Sequence, residues 1–172
     1  MQENLPTTRT GLFHPLICNF LVRHLQSRTE HPIDSICDLK NDLPDDVYKS
    51  LCKVSQLAYR SIIDRHTLMS RAMLSSVGID PSKHDTFGWL KIHPRITMFG
   101  PTNLYAFPHL SLQEYLAAFH ITQLKRRNQV AAFKEIYKQN PLSCVLSFYA
   151  GLTQLTNVPE EICDLLLSVM RN

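Results

Sequence analysis

One histidine stands just ahead of a predicted helix start, where its ring could contact an anion. His109 lies in the stretch FPHLSLQEYLAA, residues 107–118, two residues before Ser111-Leu-Gln-Glu114, which has the form of a helix capping box. The amides and dipole at a helix N-terminus favour anions, and a ring nitrogen can donate a hydrogen bond to a phosphate oxygen. The alternative is that His109 closes the preceding segment against the core, as partly buried histidines often do.

Other residue patterns that support catalysis are missing from the sequence. The five glycines (Gly11, Gly78, Gly88, Gly100, Gly151) form no GxxxxGK[ST] phosphate loop, and no apolar run ends in the paired carboxylates that hold magnesium. The eight histidines include no HExxH pair and no zinc-like Cys/His spacing, and no serine lies in a GxSxG turn. We therefore expect no catalytic residues, no metal site and no enzyme activity in this chain by itself.

Charge and cysteine usage place the chain among ordinary intracellular proteins. The net charge of +3 is spread along 172 residues, so neither a nucleic acid nor a membrane is expected as a partner. Five widely spaced cysteines without a CxxC pair indicate reduced thiols, which we interpret as buried small apolar residues (Cys18, Cys37, Cys52, Cys144, Cys163). No signal peptide or long apolar span is evident, so a cytoplasmic location is expected.

Hydrophobic periodicity predicts three helices in the first half of the chain. The first ends near Leu25, with Thr8 or Thr10 as its cap and Pro15 as the possible start of its regular part. A surface connection over residues 28–43 precedes a second helix over 44–65, whose inner stripe is Val47, Leu51, Val54, Ala58 and Ile62. A third, shorter helix is predicted over residues 67–77.

The second half of the sequence predicts a β-hairpin and then further helices. Bulky and β-branched residues over 89–99, turn residues at 100–103 and a return strand at 104–107 indicate the hairpin. A helix should begin near Leu112 and end at the basic cluster Lys125-Arg-Arg127, followed by helices over 129–139, 141–155 and 159–170. This order predicts a mainly α fold: a winged-helix domain with a small β-hairpin wing, flanked by helical segments.

The residues around His109 carry a resemblance to a known family. Residues Phe107, His109, Ser111, Gln113, Glu114, Tyr115, Ala117 and Ala118 match the pattern F-x-H-x-[ST]-[FL]-Q-E-[FY]-x-A-A. This resembles the winged-helix segment of NACHT-type NLR proteins, the intracellular nucleotide-binding receptors of innate immunity. The stretch LPTTRT at residues 5–10 looks like the end of that family's first helical domain, and residues after about 123 look like the start of its second.

The resemblance implies a division of the chain and a role for one residue. It implies residues 1–28 as the end of the first helical domain, 29–43 as a connection, 44–122 as the winged-helix domain and 123–172 as the start of the second helical domain. In the family, the winged-helix histidine contacts the β-phosphate of ADP and holds the closed, inactive state. By resemblance, His109 would make that contact.

The resemblance also implies partners that would lie outside this chain. The family's Walker motifs would precede Met1, so the chain is expected to be part of a larger receptor that binds ADP or ATP. The implied partners are the nucleotide-binding domain and C-terminal repeats of the parent protein, further copies in self-assembly, and a downstream signalling adaptor. By itself the chain should bind nucleotide weakly. Pro15 departs from the family, whose members usually continue a helix there.

Two other classes of function remain open from the sequence. A winged helix can bind nucleic acid, although the predicted third helix offers chiefly Arg71 as a cation, with Lys91 and Arg95 in the predicted wing. A purely structural helical scaffold is the second alternative.

Overall fold

The computed structural model describes residues 8–27, 35–36, 38–82, 88–98, 100–140, 143–153, 162 and 164. These residues form six helices and one two-stranded antiparallel sheet. The helices are α1 (Arg9–Gln26), α2 (Asp45–Ile63), α3 (Arg71–Ser76), α4 (Leu110–Thr122), α5 (Arg126–Gln139) and α6 (Val145–Leu152), and the strands are β1 (Lys91–Thr97) and β2 (Gly100–Ala106). The predicted mainly α fold with a hairpin after the third helix, in a winged-helix-like arrangement, is confirmed.

Helix α4 is the central element of the packing. It contacts α2 most extensively, then α6, and also α1 and α5. Every residue from Gln113 to Phe119 is buried, and Ala117 and Ala118 are fully inaccessible to solvent. Small side chains at these two positions let neighbouring helices approach closely, and a helix that is covered all round belongs to the interior of a domain.

Aromatic side chains join α1, α4 and α6 beside this central helix. The ring of Phe148 lies 5.3 Å from that of Phe13 and 5.7 Å from that of Tyr115, edge to face in both cases. The rings of Phe133 and Tyr149 meet at 4.7 Å in the same manner. Such pairs contribute about 0.5–1.5 kcal/mol each beyond their buried area.

Helix α1 is longer than predicted at its N-terminus. Thr8 caps it, since its Oγ1 accepts a hydrogen bond from Gly11 N at 3.0 Å. The prediction that the regular helix starts at Pro15 is wrong, because the helix begins at Arg9 and continues through Pro15. Proline has no N–H to bond the carbonyl four residues earlier, so the helix tolerates one missing bond there.

Hydrophobic periodicity predicts the buried face of α2 correctly but places the start of α3 too early. The inner stripe of α2 is confirmed: Leu51, Val54, Ala58 and Ile62 are buried, and Val47 at its start is half-buried and packs against the core. The predicted start of α3 near residue 67 is wrong, because Met69 instead pairs with Tyr105: Met69 N donates to Tyr105 O at 2.7 Å, and Tyr105 N donates to Met69 O at 2.9 Å. Helix α3 begins after Ser70, whose hydroxyl accepts from Met73 N at 3.3 Å.

The hairpin reverses earlier than the sequence indicates. Thr97 pairs with Gly100, so the strands are joined through positions 98 and 99, and residues 100–103 belong to β2. The predicted turn at 100–103 is therefore wrong. Gly100 has a φ of +107°, which a residue with a side chain rarely adopts, and this conformation closes the reversal.

The later helices keep their predicted order with different bounds. Helix α5 begins at Arg126 and not 129, and α6 covers Val145–Leu152 within the predicted 141–155. The helix predicted over 159–170 lies outside the described residues except for positions 162 and 164, which are helical. The four-part division of the chain stays a prediction, although α1 and α6, from its first and last parts, contact each other.

The interpretation of the cysteines as buried residues is confirmed for one position. Cys18 is buried, whereas Cys52 and Cys144 are half-buried, so the interpretation is wrong for those two. Cys37 and Cys163 lie outside the described residues. Burial and the nearby Tyr48 hydroxyl act in opposite directions on Cys52, and burial, the larger effect, raises the pKa of its thiol.

The contact between α1 and α6 depends on a glycine and gives a first prediction. A Cβ at Gly151 would overlap Thr10 Oγ1 and Cβ and lie 2.8 Å from its Cγ2. Gly151→Ala should therefore lower the free energy of unfolding by about 1–3 kcal/mol, the usual cost of overpacking, even though alanine favours helices. In a Thr10→Gly background the same change should cost much less. Equal losses in both backgrounds, measured by urea unfolding, would contradict this account.

Candidate functional site

The side chain of His109 caps helix α4. His109 has extended backbone angles (φ −150°, ψ 139°), and its ring Nδ1 accepts a hydrogen bond from Ser111 N at 3.1 Å. This is the geometry of an N-cap, in which a side-chain acceptor satisfies a backbone amide of the first turn. The candidate residue is therefore part of the helix terminus itself.

The predicted capping box is replaced by this histidine cap. The prediction placed the helix start near Leu112 with Ser111 as the cap, but α4 already begins at Leu110. Ser111 is the second residue of the helix, and the Glu114 carboxylate bonds residues far along the chain instead of the helix start. The S-x-x-E form was misleading because His109 supplies the acceptor two residues earlier.

The cap fixes which ring nitrogen of His109 can act on a ligand. A neutral imidazole has one N–H donor and one acceptor, and Nδ1 is the acceptor here. The proton of the neutral ring then belongs to Nε2, on the far side of the ring from the helix. His109 is exposed, and no hydrogen bond to Nε2 occurs among the described residues. A donor directed outward at a helix N-terminus suits an anionic ligand.

Three consecutive side chains, Gln113, Glu114 and Tyr115, fix α4 against three different helices. We call them the Gln113–Tyr115 triplet. Successive residues in an α-helix point about 100° apart, so three in a row face three neighbours. In this helix those neighbours are α2, the N-terminal end of α6, and α1.

Two members of the triplet bond side chains of flanking helices. Gln113 Nε2 donates to Ser61 Oγ of α2 at 2.8 Å, and both residues are buried. The Tyr115 hydroxyl lies 2.7 Å from His14 Nδ1 of α1. Burial, with a smaller effect of Cys18, raises the pKa of Tyr115 far above its ordinary value of 10.0, so the hydroxyl keeps its proton.

Glu114 caps another helix from a distance. Its Oε1 accepts hydrogen bonds from Cys144 N at 2.8 Å and Ser143 Oγ at 3.0 Å, at the start of α6. The residue is only 4% exposed. A carboxylate at a helix N-terminus gains from the helix dipole as well as from the two bonds, which compensates the cost of burying it.

The sequence indicates that Gln113 and Glu114 of the triplet need buried partners, although hydrophobic periodicity alone does not reveal this. Gln113 and Glu114 interrupt an otherwise apolar helix, and buried polar side chains require hydrogen-bond partners. The partners themselves could not be named, because they lie 52 and about 30 residues away along the chain.

The basic cluster Lys125-Arg-Arg127 is placed differently from the prediction. It was expected at the C-terminal end of the helix that contains the triplet, where cations complement the dipole. That helix ends at Thr122. Lys125 occupies the N-cap position of α5 without a side-chain capping bond, and Arg126 and Arg127 are the first residues of α5. The dipole explanation is therefore wrong, since these exposed cations lie at the positive end of α5.

The described residues contain neither a metal-binding cluster nor a membrane-spanning helix. No group of three His, Cys, Asp or Glu side chains in these ranges is arranged to hold a metal ion. No helix in the same ranges is long and apolar enough to cross a bilayer.

Comparison with known proteins adds no family assignment. No protein-family model matches the chain, and no curated protein matches its sequence.

The Glu114 contacts give a second prediction. Glu114→Ala leaves the Cys144 amide and Ser143 hydroxyl without their acceptor and should cost about 2–3 kcal/mol of unfolding free energy. Glu114→Gln keeps an acceptor oxygen but loses the charge, so about 1 kcal/mol is expected. Urea unfolding monitored by circular dichroism measures both changes. Equal stability of the alanine variant and the parent chain would show that Glu114 does not hold α6.

A third prediction concerns His120 on the same helix. Burial, with a smaller effect of nearby Arg60, lowers the pKa of His120 from 6.5 to about 4, and its ring lies 5.2 Å from that of Tyr59. Between these pH values the unfolded chain binds a proton that the folded chain does not. Stability should therefore fall as the pH drops from about 6.5 to about 4, by about 2 kcal/mol for this half-buried ring.

The variant His120→Gln tests this pH dependence against a matched control. It should remove most of that loss in unfolding measurements across the same pH range. His66→Gln, at an exposed position, should leave the loss unchanged. A loss that is undiminished in His120→Gln would show that other groups cause it.

Proposed function

We propose that the chain is the winged-helix region, with its flanking helical segments, of an NLR-like intracellular receptor. In this proposal it acts in the cytoplasm as a switch that responds to the nucleotide state and controls self-assembly in innate immune or cell-death signalling. The motif at residues 107–118 supplies the family, and the fold is compatible with it. The observation that carries the proposal is the exposed His109 cap at the start of α4, in which Nδ1 accepts from Ser111 N and leaves Nε2 as the donor.

The chemistry of the switch follows from the cap. In the closed state, His109 Nε2–H donates to a β-phosphate oxygen of ADP held by the nucleotide-binding domain of the parent protein. The cap bond from Ser111 N to Nδ1 keeps the neutral ring in the tautomer that carries its proton on Nε2. The nucleotide is thus a ligand of the whole receptor, and this chain contributes one contact to it without catalysing a reaction.

The Gln113–Tyr115 triplet gives the contact a mechanical consequence. Because the triplet bonds α4 to α2, α6 and α1, a displacement of His109 with its helix must also move these three helices or break buried hydrogen bonds. When the phosphate contact is lost, a joint movement of α4 with α1, α2 and α6 is therefore favoured over a rearrangement of α4 alone. A ligand shifts such an equilibrium only by its differential affinity for the two states.

An exposed apolar stripe supports the presence of further domains. Leu12, Leu16 and Phe20 recur every four residues on α1 and are 50%, 54% and 41% exposed. Contiguous apolar surface of this kind marks an interface. In the proposal it meets the missing part of the receptor or another copy during self-assembly, and a signalling adaptor acts downstream.

The structure gives less support to a nucleic-acid-binding winged helix. Helix α3, in the position of a recognition helix, has six residues, and its cation Arg71 lies 4.0 Å from the Asp80 carboxylate. Helices that read a DNA groove place several free polar or basic side chains on one face. We therefore favour the receptor assignment.

The fourth prediction separates the phosphate contact from the cap. His109→Ala removes both, whereas His109→Asn keeps a good N-cap but is too short to reach a ligand through Nε2. In the full-length parent, both variants should weaken ADP retention about tenfold to hundredfold, as expected for a charge-assisted hydrogen bond. Both should also raise self-assembly without a stimulus, because the same contact controls both properties.

His66→Ala, at an exposed position outside α4, should change neither ADP retention nor assembly. Measured ADP dissociation rates and native mass distributions give the two readouts. A folded His109→Asn receptor that holds ADP as tightly as the parent would show that the ring only caps α4.

A further inference from the structure

Strand β1 of the hairpin has basic residues on one face and apolar residues on the other. Alternate residues of a strand point to opposite faces, so Lys91, His93 and Arg95 share one face, which we call the basic face. Ile92, Pro94 and Ile96 share the other, the apolar face. All six are exposed, and beyond Ile96 the chain reaches Met98 at the reversal. The exposed fractions of Ile96 and Met98 are 90% and 91%, so the hairpin ends in an apolar tip.

Within the described part of the chain, no acidic side chain pairs with the basic face. The sequence has no Asp or Glu between Asp85 and Glu114, although the whole chain contains 15 such residues. Lys91 and Arg95 form no ion pair among the described residues. The net charge of +3 is spread along the whole chain, and for that reason the sequence predicts no membrane partner. The hairpin nevertheless carries a local excess of positive charge.

The strand edge of the hairpin is unsuited to pairing with another strand. Tyr105 N and O bond Met69, so the Tyr105–Ile92 pair directs its backbone groups away from the partner strand. By alternation, the outer edge of β1 presents the backbone groups of Ile92, Pro94 and Ile96. Pro94 has no N–H, and a proline in the middle of an edge hinders strand addition. Recognition must therefore use the side chains.

We propose that this hairpin docks on an anionic lipid surface. Ile96 and Met98 enter the headgroup region, while Lys91 and Arg95 pair with lipid phosphates and carboxylates. Apolar side chains flanked by cations are the combination that binds such interfaces. A lipid surface accepts a protruding tip without a preformed pocket. This inference does not rest on the proposed function.

Two other occupants fit the hairpin less well. A nucleic acid would pair with the basic face but leave Ile96 and Met98 in water. A second copy of the chain would bring two basic faces together, and like charges at close range repel. Neither alternative uses both the charge and the apolar tip.

The test is sedimentation of the chain with vesicles of phosphatidylcholine alone or mixed with phosphatidylserine. The chain should bind the mixed vesicles, bind neutral ones far more weakly, and lose affinity as salt is raised. Lys91→Gln and Arg95→Gln should each weaken binding about fivefold. Ile96→Asn and Met98→Asn should each weaken it about tenfold through the loss of apolar burial. All four positions are exposed, so folding should be unchanged, which circular dichroism checks.

Matched substitutions elsewhere test whether vesicle binding requires the hairpin itself or only positive charge and exposed apolar surface anywhere on the chain. Lys49→Gln on α2 and Leu68→Asn between α2 and α3 remove an exposed cation and an exposed apolar side chain outside the hairpin, and neither should alter vesicle binding. Three outcomes would overturn the proposal. They are equal binding to neutral and anionic vesicles, tighter binding to duplex DNA that Ile96→Asn leaves unchanged, and lipid-free self-association that Ile96→Asn abolishes.

Discussion

Three adjacent polar side chains on one buried helix determine how the rest of the structure is arranged. A helix can bury Gln113, Glu114 and Tyr115 only if each finds a hydrogen-bond partner, since unsatisfied buried groups cost about 1–3 kcal/mol each. Their partners, Ser61, the Cys144 amide and His14, lie on or at the start of three different helices. The register of α2, α6 and α1 around α4 is thus specified by bonds and not only by apolar packing.

This arrangement also explains why the start of α4 is a suitable place for a ligand contact. The hydrogen bonds of Gln113, Glu114 and Tyr115 hold α4 four to six residues beyond His109. The N-terminus of α4 is therefore positioned by the packing of the neighbouring helices. The cap bond to Ser111 N then holds the ring itself and selects its donor nitrogen. A contact preorganised in this way loses little conformational entropy when a ligand binds.

The sequence predicted the elements whose signal is local. The stripe of α2 at Leu51, Val54, Ala58 and Ile62 was found because the helical period is strong there. The cap at His109 was missed because Ser111 is a commoner cap, and the turn was misplaced because Gly100-Pro101 is strong turn chemistry. The Gln113–Tyr115 triplet depends on residues up to 101 positions away, which no local pattern reveals. His109 was singled out by its motif, but its tautomer required the three-dimensional structure.

If the chain belongs to a receptor as proposed, the position of the His109 ring relative to bound ADP can be observed directly. An experimental structure of that receptor with ADP bound should show His109 Nε2 within hydrogen-bond distance of a β-phosphate oxygen, about 2.7–3.2 Å. Nδ1 should still accept from Ser111 N, and the triplet contacts should be intact. A His109 ring that caps α4 in the same way while the phosphates lie elsewhere, contacted by other residues, would contradict the central claim.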